Sequence, residues 1–146
     1  MERFKIPVAA SLLLLRDSKI LLSKRFNTGW EDGKYGFMSG HIDGNESFRA
    51  TICREAREEL GIVLHEDDVH FAHLQHHISN AEYGYLFFTA AKWEGEPANQ
   101  EPDKCGGIQW FPLNTLPPNL VVGTAEIIEF YRSKVYYSET GFDLKK

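Results

Sequence analysis

The chain has 146 residues with 16 basic and 21 acidic side chains, a formal charge of −5. Hydrophobic residues at 42% and aromatics at 13% supply a core and argue against disorder. An acidic balance excludes the broad basic footprint of a nucleic-acid polymer binder, so an anionic substrate must be met by a cation.

Ile6 to Arg16 and Ile20 to Arg25 read as two strands joined at Asp17-Ser18-Lys19, an antiparallel hairpin. The apolar run around Leu12 to Leu15 is far short of the ~18 residues of a membrane span. Met1-Glu2-Arg3 with the early Pro7 does not read as a signal peptide, so a cytoplasmic location is expected. Asn27 to Tyr35, NTGWEDGKY, is a glycine-containing surface loop before a short strand near Tyr35 to Met38. From Ser47, a plausible N-cap, Phe48, Ile52, Ala56 and Leu60 recur at helical spacing until Gly61. Val69 to Ile78, Tyr83 to Trp93 and Ile108 to Phe111 read as strands, with a long polar loop, Glu94 to Gly107, before the last. Beyond Pro117-Pro118, the apolar spacing from Ala125 to Tyr137 predicts a second helix. The order predicts one α/β domain over residues 1–146, with helices packed on a mixed sheet.

Cys53 and Cys105 form no CxxC pattern, and the adjacent His76 and His77 point to opposite strand faces. Neither set suggests a metal site. The first helix does. Relative to Glu55, Glu58 lies at about −60° and Glu59 at about +40°, so three carboxylates share one arc of about 100°. Like-charge repulsion would raise their pKa values, and a divalent cation would relieve it. An all-oxygen donor set suits Mg2+ or Mn2+. Arg54, four residues before Glu58, can pair with a carboxylate and orient it. Taken singly, each of these residues would suit an ordinary solvated helix.

Together they match a longer pattern. Gly40, Glu46, Arg54-Glu55, Ala56, Glu58-Glu59, Gly61 and Ile62 stand at the spacing of the Nudix box, residues 40–62. A chance match over the chain is on the order of 10^-6 at average residue usage. The chain therefore resembles the Nudix hydrolases, in particular small MutT-type members. That resemblance implies a Nudix-type α/β/α sandwich with a mixed central sheet, and hydrolysis of a nucleoside diphosphate linked to another group. It implies that Glu58 and Glu59 ligate the metal, that Glu55 is a ligand or general base, and that the Gly40 carbonyl completes the shell. Arg54 and Glu46 become orienting residues.

A proton acceptor in this family often lies in the loop before the last strand. Here that loop offers Glu94, Glu96, Glu101 and Asp103, of which Glu101 is preferred, whereas Gln109 is a poor base. Arg25, Trp30 and Tyr35 are the candidate substrate contacts. Phe37, Tyr83 and Tyr85 are further aromatic faces on which a base could stack. The expected reaction is Mg2+-dependent cleavage of a nucleoside triphosphate to monophosphate and pyrophosphate by activated water. RFNTGWEDGKYGF and EPDKC are similar to a MutT-type nucleoside triphosphate subgroup. The proline of ADP-ribose members near residues 76–78, the tyrosine spacing of diadenosine polyphosphate members and the NADH-type SQPWPFP signature are absent. The alternatives are another diphosphate linkage, in a dinucleotide or nucleotide sugar, and a noncatalytic nucleotide sensor. The expected partner is a small nucleotide, with no membrane and no nucleic-acid polymer, acting on a monomer or homodimer.

Overall fold

The computed structural model describes residues 1–145. The hairpin forms as the pattern predicts: β1 (Val8–Arg16) pairs antiparallel with β2 (Lys19–Arg25). Asp17 and Ser18 take φ of 53° and 63°. Two positive φ values in a two-residue loop match the right-handed twist of the flanking strands.

The short strand near Tyr35 splits. β3 (Tyr35–Gly36) pairs with β2, and after Phe37 the chain crosses to pair β4 (Met38–His41) with β1. This crossing places Gly40 at the mouth of the box. Then follow α1 (Phe48–Leu60), β5 (His70–Ile78), β6 (Glu82–Ala90) and β7 (Cys105–Pro112). β6 stops short of Trp93, and β7 begins three residues before Ile108 because it pairs with β2 through Cys105.

The second helix is shorter than its apolar spacing suggests. α2 spans Thr124–Arg132, and Tyr137–Thr140 forms strand β8. Lys134 adopts φ of 57°, while Ser133 and Val135 donate to the carbonyls of Glu129 and Phe130, closing the helix. Leu74 N–H then donates to the Tyr136 carbonyl at 2.9 Å and draws the chain alongside β5. Apolar residues 135–137 satisfied a helical period, but an open sheet edge captured them.

The sheet is mixed, in the order β3-β2-β1-β6-β5-β8, with β4 on β1 and β7 on β2. β1 meets β6 in parallel, and β5 meets β8 in parallel. Alternation along β1 feeds two cores. Ala10, Leu12 and Leu14 pack with Ile52, Ala56 and Leu60 of α1. Leu13 joins Phe87, Phe111, Ile127 and Ile128 on the α2 side. The result is the α/β/α sandwich. Among the described residues no helix is long and apolar enough to cross a membrane.

Candidate active site

α1 is built as a rigid carrier. The Ser47 hydroxyl accepts the Ala50 N–H at 3.0 Å, and Gly61, at φ of 70°, donates its N–H to the Arg57 carbonyl. Ile52 and Ala56 are fully buried and Leu60 nearly so. With that stripe anchored, Glu55 and Glu59 are half-buried beside the sheet, and Glu58 reaches solvent.

Arg54 organises the acids. Its Nε and Nη2 donate to the Glu46 carboxylate at 3.0 to 3.1 Å, and Nη1 donates to Glu55 Oε1 at 3.0 Å and Glu58 Oε2 at 3.4 Å. Glu46 is held below the usual carboxylate range, chiefly by that hydrogen bonding, and Arg54 stays charged. Both expected orienting residues thus meet, and Glu46 is the principal partner.

Burial, more than like-charge repulsion, sets the acidity of the inner pair. Glu59 is pushed up to about 8, first by desolvation, then by the charges of Glu55, Glu101 and Glu58. Glu55 is raised too, by desolvation against the opposing pull of Arg54. Carboxylates withdrawn from water with only one nearby guanidinium are short of positive charge.

Gly40 brings the backbone of β4 against Glu55. A Cβ added there would lie 2.6 Å from Glu55 Cδ and 2.7 Å from Oε1, so only glycine lets the β4 backbone lie against that carboxylate. Among the described residues no three acidic, histidine or cysteine side chains are gathered in metal-ligating geometry. The chemistry of the donors, carboxylate oxygens short of positive charge, nevertheless fits a hard dication.

The polar loop before β7 closes the site. Ala98 N–H donates to the Leu60 carbonyl at 2.9 Å and Gln100 N–H to the Glu59 carbonyl at 3.1 Å, satisfying acceptors the helix end leaves open. This docking brings Glu101 into the field of Glu55 and Glu59. The other loop acids differ. Glu94 lies 2.7 Å from His65 Nε2, Glu96 grips the Arg16 guanidinium through both oxygens, and Asp103 is exposed. The open carbonyls of the helix were the only sequence signal for this docking.

Among the described residues the three substrate candidates bond and pack with partners other than the acids of α1. Arg25 donates Nε to the Trp30 carbonyl at 2.7 Å and Nη2 to Thr28 Oγ1 at 3.0 Å, with its guanidinium 5.0 Å from the Trp30 ring centroid. Asp32 accepts from Thr28 and Gly29, which hold it below its usual range. The loop is thereby fixed with Trp30 54% exposed. Tyr35 packs edge-on to Phe111 at 4.9 Å and donates its hydroxyl to Gln109 at 3.4 Å. Backbone bonds link this loop to the acids: Phe26 N–H donates to the Lys104 carbonyl, and Lys104 N–H to that of Glu101.

Comparison with known proteins shows the family of the chain. Residues 5–131 match the family described as NUDIX domain. The NAD-capped RNA hydrolase NudC of Pseudomonas aeruginosa is 30% identical over 112 residues, which are 73% of this chain but 36% of NudC. The chain thus spans little more than a third of that relative. The 8-oxo-dGTP diphosphatase of Escherichia coli K12 is 25% identical over 97 residues, 66% of this chain and 74% of that protein. Among solved structures, a MutT NUDIX hydrolase from Burkholderia pseudomallei superposes with a TM-score of 0.78 at 31% identity, covering 86% of this chain and 98% of that one.

Proposed function

This chain belongs to the Nudix family, and from that premise we propose that it is a MutT-type hydrolase of phosphoanhydride bonds that cleaves nucleoside triphosphates to monophosphate and pyrophosphate with Mg2+ or Mn2+. The observation that carries the metal requirement is Glu59, a half-buried carboxylate pushed up to about 8 beside Glu55 and Glu58. Glu55, Glu58, Glu59 and the Gly40 carbonyl would hold the ion. When bound, it supplies positive charge to phosphate oxygens and makes water more acidic.

The remaining work falls to the chain. Arg54, clamped by Glu46, keeps Glu55 and Glu58 oriented toward one another. Glu101, delivered by the docked loop, accepts the proton of the attacking water as the new oxygen–phosphorus bond forms. The bridging oxygen departs with the electron pair of the broken bond, and pyrophosphate leaves. Trp30, held by Arg25, offers a face for the base, and Tyr35 offers a second aromatic face. Support for a triphosphate comes from the similarity to the 8-oxo-dGTP diphosphatase along 74% of that protein.

A second reading is favoured by the likeness to NudC: a nucleoside diphosphate joined to another group, split into two monophosphates. Product analysis separates the two. Purified protein with Mg2+ and a panel of canonical and oxidised nucleoside triphosphates should release pyrophosphate. Glu58→Gln should lower the rate on the order of 10^2-fold or more, as removal of transition-state electrostatics does elsewhere. A rate within about twofold of wild type would refute the assigned ligand set. Tight nucleotide binding with no turnover at any metal concentration would instead mark a sensor.

A further inference from the structure

A solvent-open depression of about 450 Å3 lies where the start of β5, the end of β6 and the turn after α2 meet. Its size lies within the ~300–1,000 Å3 of small-molecule sites. Phe71, Tyr131 and Tyr136 give it aromatic walls, and Thr89 supplies a hydroxyl. Its charged lining is entirely basic, from Arg132 and Lys134, in a chain of formal charge −5.

The turn that carries these groups is fixed. Lys134 sits at φ of 57° with its N–H on the Tyr131 carbonyl, Val135 N–H bonds the Phe130 carbonyl, and the Tyr136 carbonyl is held by Leu74. Arg132 spends Nη1 on the Leu113 carbonyl at 3.2 Å, which leaves further donors on the same guanidinium. Neither cation stands in an ion pair with a described residue. Phe71 and Tyr136 remain 44% and 58% exposed, a large aromatic area left open to water beside two uncompensated charges. Tyr131 packs with the α2 core, whereas the box helix packs with the core on the other side of the sheet.

We infer that this cavity is a second ligand site, separate from the carboxylate cluster, for a nucleoside monophosphate. An aromatic wall takes the flat base, because a ring face stacks on any base. The two cations of the lining together carry the counter-charge for one phosphate monoester, which holds about −1.5 to −2 near neutral pH. A triphosphate would bring excess negative charge to the same two groups. The monophosphate is the product class of the hydrolysis proposed above, and the choice of ligand rests on that reading.

Calorimetry of the full chain with adenosine and guanosine 5′-monophosphates, in EDTA to keep metal from the carboxylates, tests the site. One binding event is expected, weakened at least about tenfold by Lys134→Glu and by Tyr136→Ala, and changed less than about twofold by Glu59→Gln. Inorganic phosphate alone should bind at least about tenfold more weakly than the nucleotide. No binding by wild type at millimolar ligand would overturn the assignment, as would binding that survives both cavity substitutions or disappears in Glu59→Gln. Phosphate binding as tightly as the nucleotide would also overturn it, since the aromatic walls would then contribute nothing. Hydrolysis is assayed separately with Mg2+, so absent turnover with intact monophosphate binding counts against the catalytic reading alone.

Discussion

α1 and α2 cover opposite faces of one sheet, and both bury an apolar stripe, yet their glutamates live in different worlds. On α2, Glu126 and Glu129 face solvent while Ile127 and Ile128 enter the core. On α1, Glu55 and Glu59 are partly withdrawn from water, and Glu59 is pushed up to about 8. The residue type is the same and its helix propensity is the same. What differs is the cover: β4 lies against Glu55, and the loop before β7 docks on the last turn of α1. A solvated acid stabilises little, whereas an acid deprived of water demands a counter-charge and becomes a tool for binding one.

The contrast is broken most directly by removing one acid from each helix. Glu59→Gln should lower metal-supported turnover at least about 10^2-fold, while Glu126→Gln stays within about twofold. Equal losses, read as pyrophosphate release at saturating substrate, would erase the distinction between the helices.

Glu101→Gln sharpens it. If the docked loop supplies the proton acceptor, kcat should fall by about 10^2-fold with metal affinity nearly unchanged. An unchanged kcat would show that the loop merely covers the helix.

A smaller effect follows from pH. Glu59 has a raised folded-state pKa, so between the ordinary carboxylate range and about 8 the metal-free folded chain binds more protons than the unfolded chain. That contribution to stability is complete below the unfolded value and is lost as pH rises through about 8. Denaturant midpoints in EDTA should therefore fall from pH 5.5 to pH 8.5, and Glu59→Gln should flatten the slope. Metal requires the ionised acid, so its affinity should climb by up to about tenfold per pH unit in the same window and level off above it. A midpoint that rises with pH in EDTA would contradict the burial assigned to Glu59.

The smallest effect on turnover belongs to the core of the other face. Ile128→Ala should cost about 2–5 kcal/mol of stability, measured by urea denaturation, yet leave kcat within about twofold at a temperature where the variant is folded. A large kcat loss would mean that α2 positions the reacting groups after all.

Much of this was legible along the chain. The stripe Ile52, Ala56 and Leu60, the cap at Ser47 and the stop at Gly61 are local features, and local periodicity encodes them. The acids of α1 share a helix, so their common face follows from spacing. The second helix shows where spacing misleads: Val135 to Tyr137 fit a helical period but were taken by the edge of β5, through Leu74 and the Tyr136 carbonyl. Arg25, Trp30 and Tyr35 stand out in the sequence by residue type alone, and the contacts of Tyr35 with Phe111 and Gln109 join distant segments that no spacing reports.

The first hairpin, the box helix and the identity of the acidic cluster were written in the sequence, because each depends on residues within a few turns of one another. The docking of Glu101 beside Glu59, the contact of Gly40 with Glu55, and the change in acidity that follows were decided only when distant segments met. Burial is a property of what the rest of the chain places on top of a residue, and it is burial that sets Glu55 and Glu59 apart from ordinary glutamates.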